Sequence, residues 1–150
     1  MIKEVKSEKE MKIFGARLGA LLVGGAVVEL VGDVGAGKTT LTKGIAVGLG
    51  VNEDVQSPSF TISRVYEARD GLNLAHYDFY RLQDAGIMAD ELNEAIHHPT
   101  SIIIIEWGSI VEGVLPIDRL TIKIESPAES DRRLTIMSNG PISQSIEEKL

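Results

Sequence analysis

The spacing of apolar residues changes several times along the chain, and each change marks an element boundary. Ile2 to Val5 reads as a short edge strand, and Met11, Phe14, Leu18, Leu21 and Leu22 then recur every three or four residues, predicting a helix with one buried face. Ser7 and Glu10 have the S-x-x-E spacing of a capping box at its start, and Gly24-Gly25 breaks it. Ala26 to Val31 is a nearly continuous β-branched run, the pattern of a strand covered on both faces. Helical spacing returns from about Lys38 with Leu41, Ile45 and Leu49, and Gly50 is placed to stop that helix in a left-handed conformation.

Ser57-Pro58 predicts extended chain or a turn, because the residue before proline is pushed out of helical space. The β-type runs Phe60 to Tyr66 and Leu72 to Phe79 flank Arg69-Asp70-Gly71, and Asp-Gly between such runs predicts a hairpin. Asp90 to His98 reads as a short helix ended by Pro99, followed by Ser101 to Glu106 as a central strand. Arg119 to Ser126 and Arg132 to Ser138 alternate apolar with polar residues, which predicts a closing hairpin with one solvated face. The tail from Gly140 to Leu150 has little apolar content and is expected to be loosely held. The pattern is that of an α/β fold with a mixed parallel and antiparallel sheet flanked by helices, organised as one domain over residues 1–150.

Candidate chemistry begins where the first buried strand ends. Gly32-Asp33-Val34-Gly35-Ala36-Gly37-Lys38-Thr39 matches G-x-x-x-x-G-K-[ST], and its place between a strand and a helix makes the phosphate-loop NTPase fold the expected one. The glycines let backbone N–H groups curl towards phosphate oxygens, Lys38 can reach the β- and γ-phosphates, and the Thr39 hydroxyl can hold Mg²⁺. A helix starting at Lys38 adds its positive end. Such a site also needs a carboxylate at the end of a buried strand to orient metal or water. Glu106, after four isoleucines, meets that description, the alternative being a strand-end acid in water. Trp107 beside it is a packing residue that could also wall the site.

In His76-Tyr77-Asp78-Phe79-Tyr80-Arg81, alternation puts His76, Asp78 and Tyr80 on one face. Asp78 is then a second, water-mediated group for Mg²⁺ or an orienter of the nucleophile, the alternative being an ion pair with Arg81. Ser57-Pro58-Ser59-Phe60-Thr61 is either a loop whose hydroxyls approach Mg²⁺ or a plain proline turn. His97-His98 lacks a supporting carboxylate spacing and reads as surface.

Charge and composition narrow the setting. A formal net charge of −7 opposes direct binding of nucleic acid, so any RNA contact is expected to be made by a partner. Leu18 to Val31, the most apolar stretch, is shorter than the ~20 residues a spanning helix needs and contains Glu29, so no membrane span is expected. With no cysteine and no visible secretory signal, the cytoplasm is the expected compartment.

GDVGAGKTT, SPSF at Ser57 to Phe60, HYDFYR at His76 to Arg81 and IIEW at Ile104 to Trp107 occur in one order at short spacings. Together they closely resemble the TsaE family, the small bacterial ATPases of the tRNA threonylcarbamoyladenosine pathway. The resemblance covers nearly the whole chain. It implies an ATPase using ATP and Mg²⁺ that joins the TsaB and TsaD proteins, is slow on its own, and supports carbamoyl transfer to tRNA adenosine by TsaD. It assigns phosphate to Lys38, Mg²⁺ to Thr39, the α-phosphate side to Thr40, and metal and water to Asp78 and Glu106. It also suggests an adenine pocket from Ser7 and Glu8 and from the late hairpin near Arg133. Three departures stand out: SPSF for the usual SPTF, Tyr77 and Phe79 beside Asp78 where the family commonly has Phe and Leu, and Gly108-Ser109-Ile110-Val111 after the tryptophan where it often has proline and an acid. A small-molecule kinase would bring an arginine-rich lid between Lys38 and Glu106, and a GTPase a guanine-reading N-K-x-D-type element. Neither stands in the chain. A module that uses nucleotide only to hold a conformation shares the same cradle and remains an alternative.

Overall fold

A computed structural model describes residues 1–58, 62–84 and 86–150. In chain order the elements are β1 (Ile2–Val5), α1 (Glu8–Leu21), β2 (Val27–Val31), α2 (Lys38–Gly48), β3 (Ser63–Glu67), β4 (Asn73–Asp78), α3 (Gly86–Ile96), β5 (Ser101–Glu106), β6 (Leu120–Glu125), β7 (Arg132–Ser138) and α4 (Pro141–Lys149). The sheet has seven strands in the order β1-β7-β6-β2-β5-β4-β3. The β4, β5, β2 and β6 strands run parallel, and β3, β7 and β1 pair antiparallel with their neighbours, so the expected mixed α/β sheet is present.

Alternation along the central strands builds two cores. Val28, Leu30, Ile102 and Ile104 face α1 and α2, packing with Leu18, Leu22, Leu41 and Ile45. Val27, Ile103, Ile105 and Tyr77 face the other way, with Leu92 of α3, Val111 and Leu115. Beyond β2, among the described residues, only the first face carries the core. Ile122, Ile124, Leu134 and Ile136 join that core, whereas Lys123, Glu125, Arg133 and Met137 stay on the solvated face expected for the closing hairpin.

Local signals act as anticipated at several turns. Asp70 and Gly71 both take positive φ, 58° and 74°, at the β3–β4 connection, and Gly50 ends α2 at φ 73°. At the α1 start, the Ser7 hydroxyl accepts from Glu10 N–H at 3.1 Å, but the Glu10 carboxylate reaches the Lys6 N–H at 2.6 Å, one residue before its usual capping-box partner. The α1 carboxyl end is held by Arg69, which donates to the Gly19, Ala20 and Leu22 carbonyls at 2.9–3.1 Å and fastens the hairpin to the helix. The α1–α2 seam is tight enough that a side chain on Gly19 would meet the Ile45 carbonyl carbon at 3.0 Å and Gly48 Cα at 3.1 Å.

Two expectations change, and part of a third lies outside the described residues. The helix placed at Asp90 to His98 begins earlier, at Gly86, and ends before the pre-proline His98. Of the expected strand Phe60 to Tyr66, Phe60 and Thr61 lie outside the described residues, as do Ser59 and Ala85. The tail is not loose: Pro141–Lys149 is helical, with Ser143 and Ile146 buried. The Asp118 carboxylate receives the Ile142 and Ser143 N–H groups at 2.9 Å each and the Ser143 hydroxyl at 2.7 Å, so a polar cap docks a segment that low apolar content left unanchored. Among the described residues, no helix is long and apolar enough to cross a membrane.

Candidate functional site

Parallel pairing sets the carboxyl ends of β2, β5 and β4 side by side, with Leu30 opposite Glu106 and Glu106 opposite Asp78. The loop leaving β2 therefore emerges next to both carboxylates, at the edge where α/β sheets bind ligands. Within it, Gly35 and Gly37 take φ of 81° and 111°, a region that costs other residues about 1–2 kcal/mol. Gly37 is also the N-cap of α2 and supplies no side-chain acceptor, which leaves the first amides of that helix to face an anion.

Lys38, only 6% exposed, points back into the loop. Its ammonium donates to the Gly32 carbonyl and, at 3.0 Å, to the Asp33 carbonyl, and lies 4.3 Å from the centre of the Trp107 ring. Burial lowers its pKa, opposed by the charges of Glu106, Asp78 and Asp33. Trp107 adopts a left-handed backbone, φ 59° and ψ 45°, and its ring lies against Tyr80 at 4.9 Å between centroids. That conformation is unfavourable for a bulky residue, and it directs the indole over the lysine.

Lys38, Thr39, Ser57, Asp78, Glu106 and Trp107 border one cavity of about 320 Å³. Asp78 accepts from the Ser57 hydroxyl at 3.0 Å through one oxygen and from the Tyr80 N–H at 3.0 Å through the other. Among the described residues no ion pair joins it to Arg81, which is exposed, so Asp78 faces the cavity. Glu106, 2% exposed, has one oxygen 2.6 Å from His76 Nε2. Among the described residues no three His, Asp or Glu side chains converge as a self-sufficient metal centre. Two carboxylates and the Thr39 hydroxyl around a phosphate-binding loop do fit Mg²⁺, which characteristically takes one or two carboxylates and completes its shell with water and phosphate oxygens.

Across the loop lies a second cavity of about 490 Å³, bordered by Ser7, Glu8, Met11, Gly35, Thr40 and Arg132. Thr40 borders both cavities. Asp33 and Val34 have exposed side chains, so they serve the loop through their backbone, while Ala36 is buried beneath it. The late-hairpin arginine bordering this cavity is Arg132, the neighbour of the expected Arg133. Successive strand residues face opposite sides, and Arg133 is directed to the other face, where it pairs with Glu4 at 3.0 Å. Arg132 instead donates to the Ala36 carbonyl at 2.9 Å and to the Ala128, Glu129 and Asp131 carbonyls at 2.8–3.2 Å, bracing the phosphate loop against the β6–β7 connection. Its inward direction was legible, since it lies two residues before buried Leu134. Ser57 and His76 were visible as motif members, but their bonds to Asp78 and Glu106 depend on strand order.

Residues 5–134 match the family described as threonylcarbamoyl adenosine biosynthesis protein TsaE. The tRNA threonylcarbamoyladenosine biosynthesis protein TsaE of Treponema pallidum is 37% identical over 131 residues, covering 87% of this chain and 96% of that one. Its namesake in Bacillus subtilis is 38% identical over 134 residues, covering 88% and 82%. The crystal structure of Bacillus subtilis YdiB superposes with a TM-score of 0.82 at 32% identity, covering 99% of this chain and 92% of that one. Sequence, fold and the loop at the strand ends agree, and the chain belongs to the TsaE family.

Proposed function

We propose that this chain binds ATP with Mg²⁺ in the cavity between the phosphate loop and Asp78 and Glu106, and hydrolyses it in support of tRNA threonylcarbamoyladenosine synthesis. The observation that carries the reading is the convergence of Lys38, Thr39, Asp78 and Glu106 on one cavity, although they come from three separate parts of the chain. Loop amides hold the phosphates, and Lys38 exchanges its two loop carbonyls for phosphate oxygens. Thr39 and the carboxylates would hold Mg²⁺, which supplies neutralisation of phosphate charge. Asp78 is oriented by Ser57 and the Tyr80 amide. Glu106, with one oxygen occupied by His76, turns the other towards water. The Trp107 ring walls the cavity on the lysine side.

The relatives' names refer to tRNA modification, and the chain's charge of −7 favours partners as the RNA-binding components. TsaB and TsaD are the partners proposed. Trp107 is the single tryptophan and borders the site, so its emission can follow ATP titration. Wild type should respond saturably and Lys38→Ala should lose binding; equal affinity of the two would sink the site assignment. Purified TsaB and TsaD should bind the chain and raise its ATPase rate, and indifference to both would overturn the pathway reading.

A further inference from the structure

The His76 imidazole is 0% exposed, in the middle of β4 and on the face it shares with Leu74. A leucine or isoleucine would fill such a position without the cost of burying two ring nitrogens. One nitrogen, Nε2, meets Glu106 at 2.6 Å, while the other, Nδ1, is buried with no hydrogen-bond partner among the described residues. A half-satisfied polar group is a poor stabiliser of a core, so fold stability does not account for it. Its effect on Glu106 does. The register sets His76 beside Ile104, two residues before Glu106 on the neighbouring strand, and the imidazole reaches along the face to one carboxylate oxygen. The contact engages the glutamate at the cavity that Lys38 also borders.

We infer that His76 is a positioning residue: its Nε2–H donates to Glu106 Oε2 and fixes the carboxylate so that Oε1 faces the phosphate cavity. This rests on the proposed ATPase reading. Hydrogen-bond partners behind a working carboxylate commonly matter 10–100-fold.

Glutamine and asparagine separate a positioning role from a packing one, because a Gln amide N–H reaches the place of Nε2 and an Asn amide only that of Nδ1. His76→Asn should lower kcat about 10–100-fold with the apparent KM for ATP nearly unchanged, and His76→Gln should restore most of the rate. In nucleotide-free protein, the His76 ring N–H should give a slowly exchanging proton resonance that Glu106→Gln shifts. Adding His76→Asn to Glu106→Gln should cost no further turnover. Equal rates for the Asn and Gln variants, whether both high or both low, would overturn the inference, as would a ring proton indifferent to Glu106→Gln. Wild type without turnover, or full turnover by Glu106→Gln, would instead remove the ATPase reading on which the role depends.

Discussion

Gly19→Ala tests whether the seam between α1 and α2 is as close as the structure requires. The new Cβ would meet the Ile45 carbonyl carbon at 3.0 Å and Gly48 Cα at 3.1 Å, with the Ile45 carbonyl oxygen well inside contact distance. These are backbone atoms in the last turn of α2 and cannot rotate away as a side chain would. Relief requires the two helices to part by about 1 Å, which loosens the packing of Leu18, Leu41 and Ile45 between them and the sheet. Overpacking of this kind costs about 1–3 kcal/mol, and the site belongs near the upper end. Alanine returns about 1 kcal/mol through its better helix propensity. The net loss is then about 2 kcal/mol, or a Tm lower by about 4–8 °C for a chain of this size. Gly113→Ala is the control: among the described residues nothing lies within 4 Å of its Cβ position, and Tm should not change measurably. Thermal unfolding followed by circular dichroism reads both variants. A Gly19→Ala protein as stable as wild type would mean that the helices are not in backbone contact.

Arg132→Gln should weaken ATP binding about tenfold, since the bond to the Ala36 carbonyl braces the phosphate loop and charged hydrogen bonds are worth about 1.5–3 kcal/mol. Arg132→Lys should not restore it, because one ammonium cannot reproduce the guanidinium fork, and isothermal titration showing wild-type affinity in either variant would contradict this role. Burial raises the Asp118 pKa, but hydrogen bonds from the Ser143 N–H and hydroxyl and the Ile142 N–H outweigh it and hold the carboxyl below its ordinary value. A depressed folded-state pKa contributes stability above the unfolded value, ~3.9, that is lost as pH falls through the folded one. Asp118→Asn should therefore be about 1 kcal/mol less stable at pH 7 and should lose less stability than wild type on acidification, as measured by urea unfolding from pH 7 to pH 2. Parallel pH profiles would rule out the Asp118 cap as the cause.

Features carried by short stretches of chain were the legible ones. The phosphate loop, the Asp-Gly turn, the Gly50 stop and the isoleucine strand ending in Glu106 each follow from local spacing, and all are found where spacing puts them. The parts that were not legible depend on contacts between distant residues. Nothing near Gly140 signals that Asp118 will cap the last helix, and nothing near His76 shows that β5 will be its parallel neighbour. The choice between Asp78 in the site and Asp78 paired with Arg81 likewise turned on Ser57, twenty-one positions away. Arg132 and Arg133 differ by one position in a strand of alternating faces, so a resemblance that reaches only to the neighbourhood of Arg133 does not tell which of the two turns towards the phosphate loop.

Phosphate release from ATP and Mg²⁺, compared between wild type and Glu106→Gln at saturating nucleotide, decides whether this cavity hydrolyses ATP through Glu106. Wild type should release phosphate steadily, faster with TsaB and TsaD, and the variant at least a hundredfold less, ~2.7 kcal/mol of barrier, with ATP still bound. Equal release by the two proteins would contradict that role of Glu106.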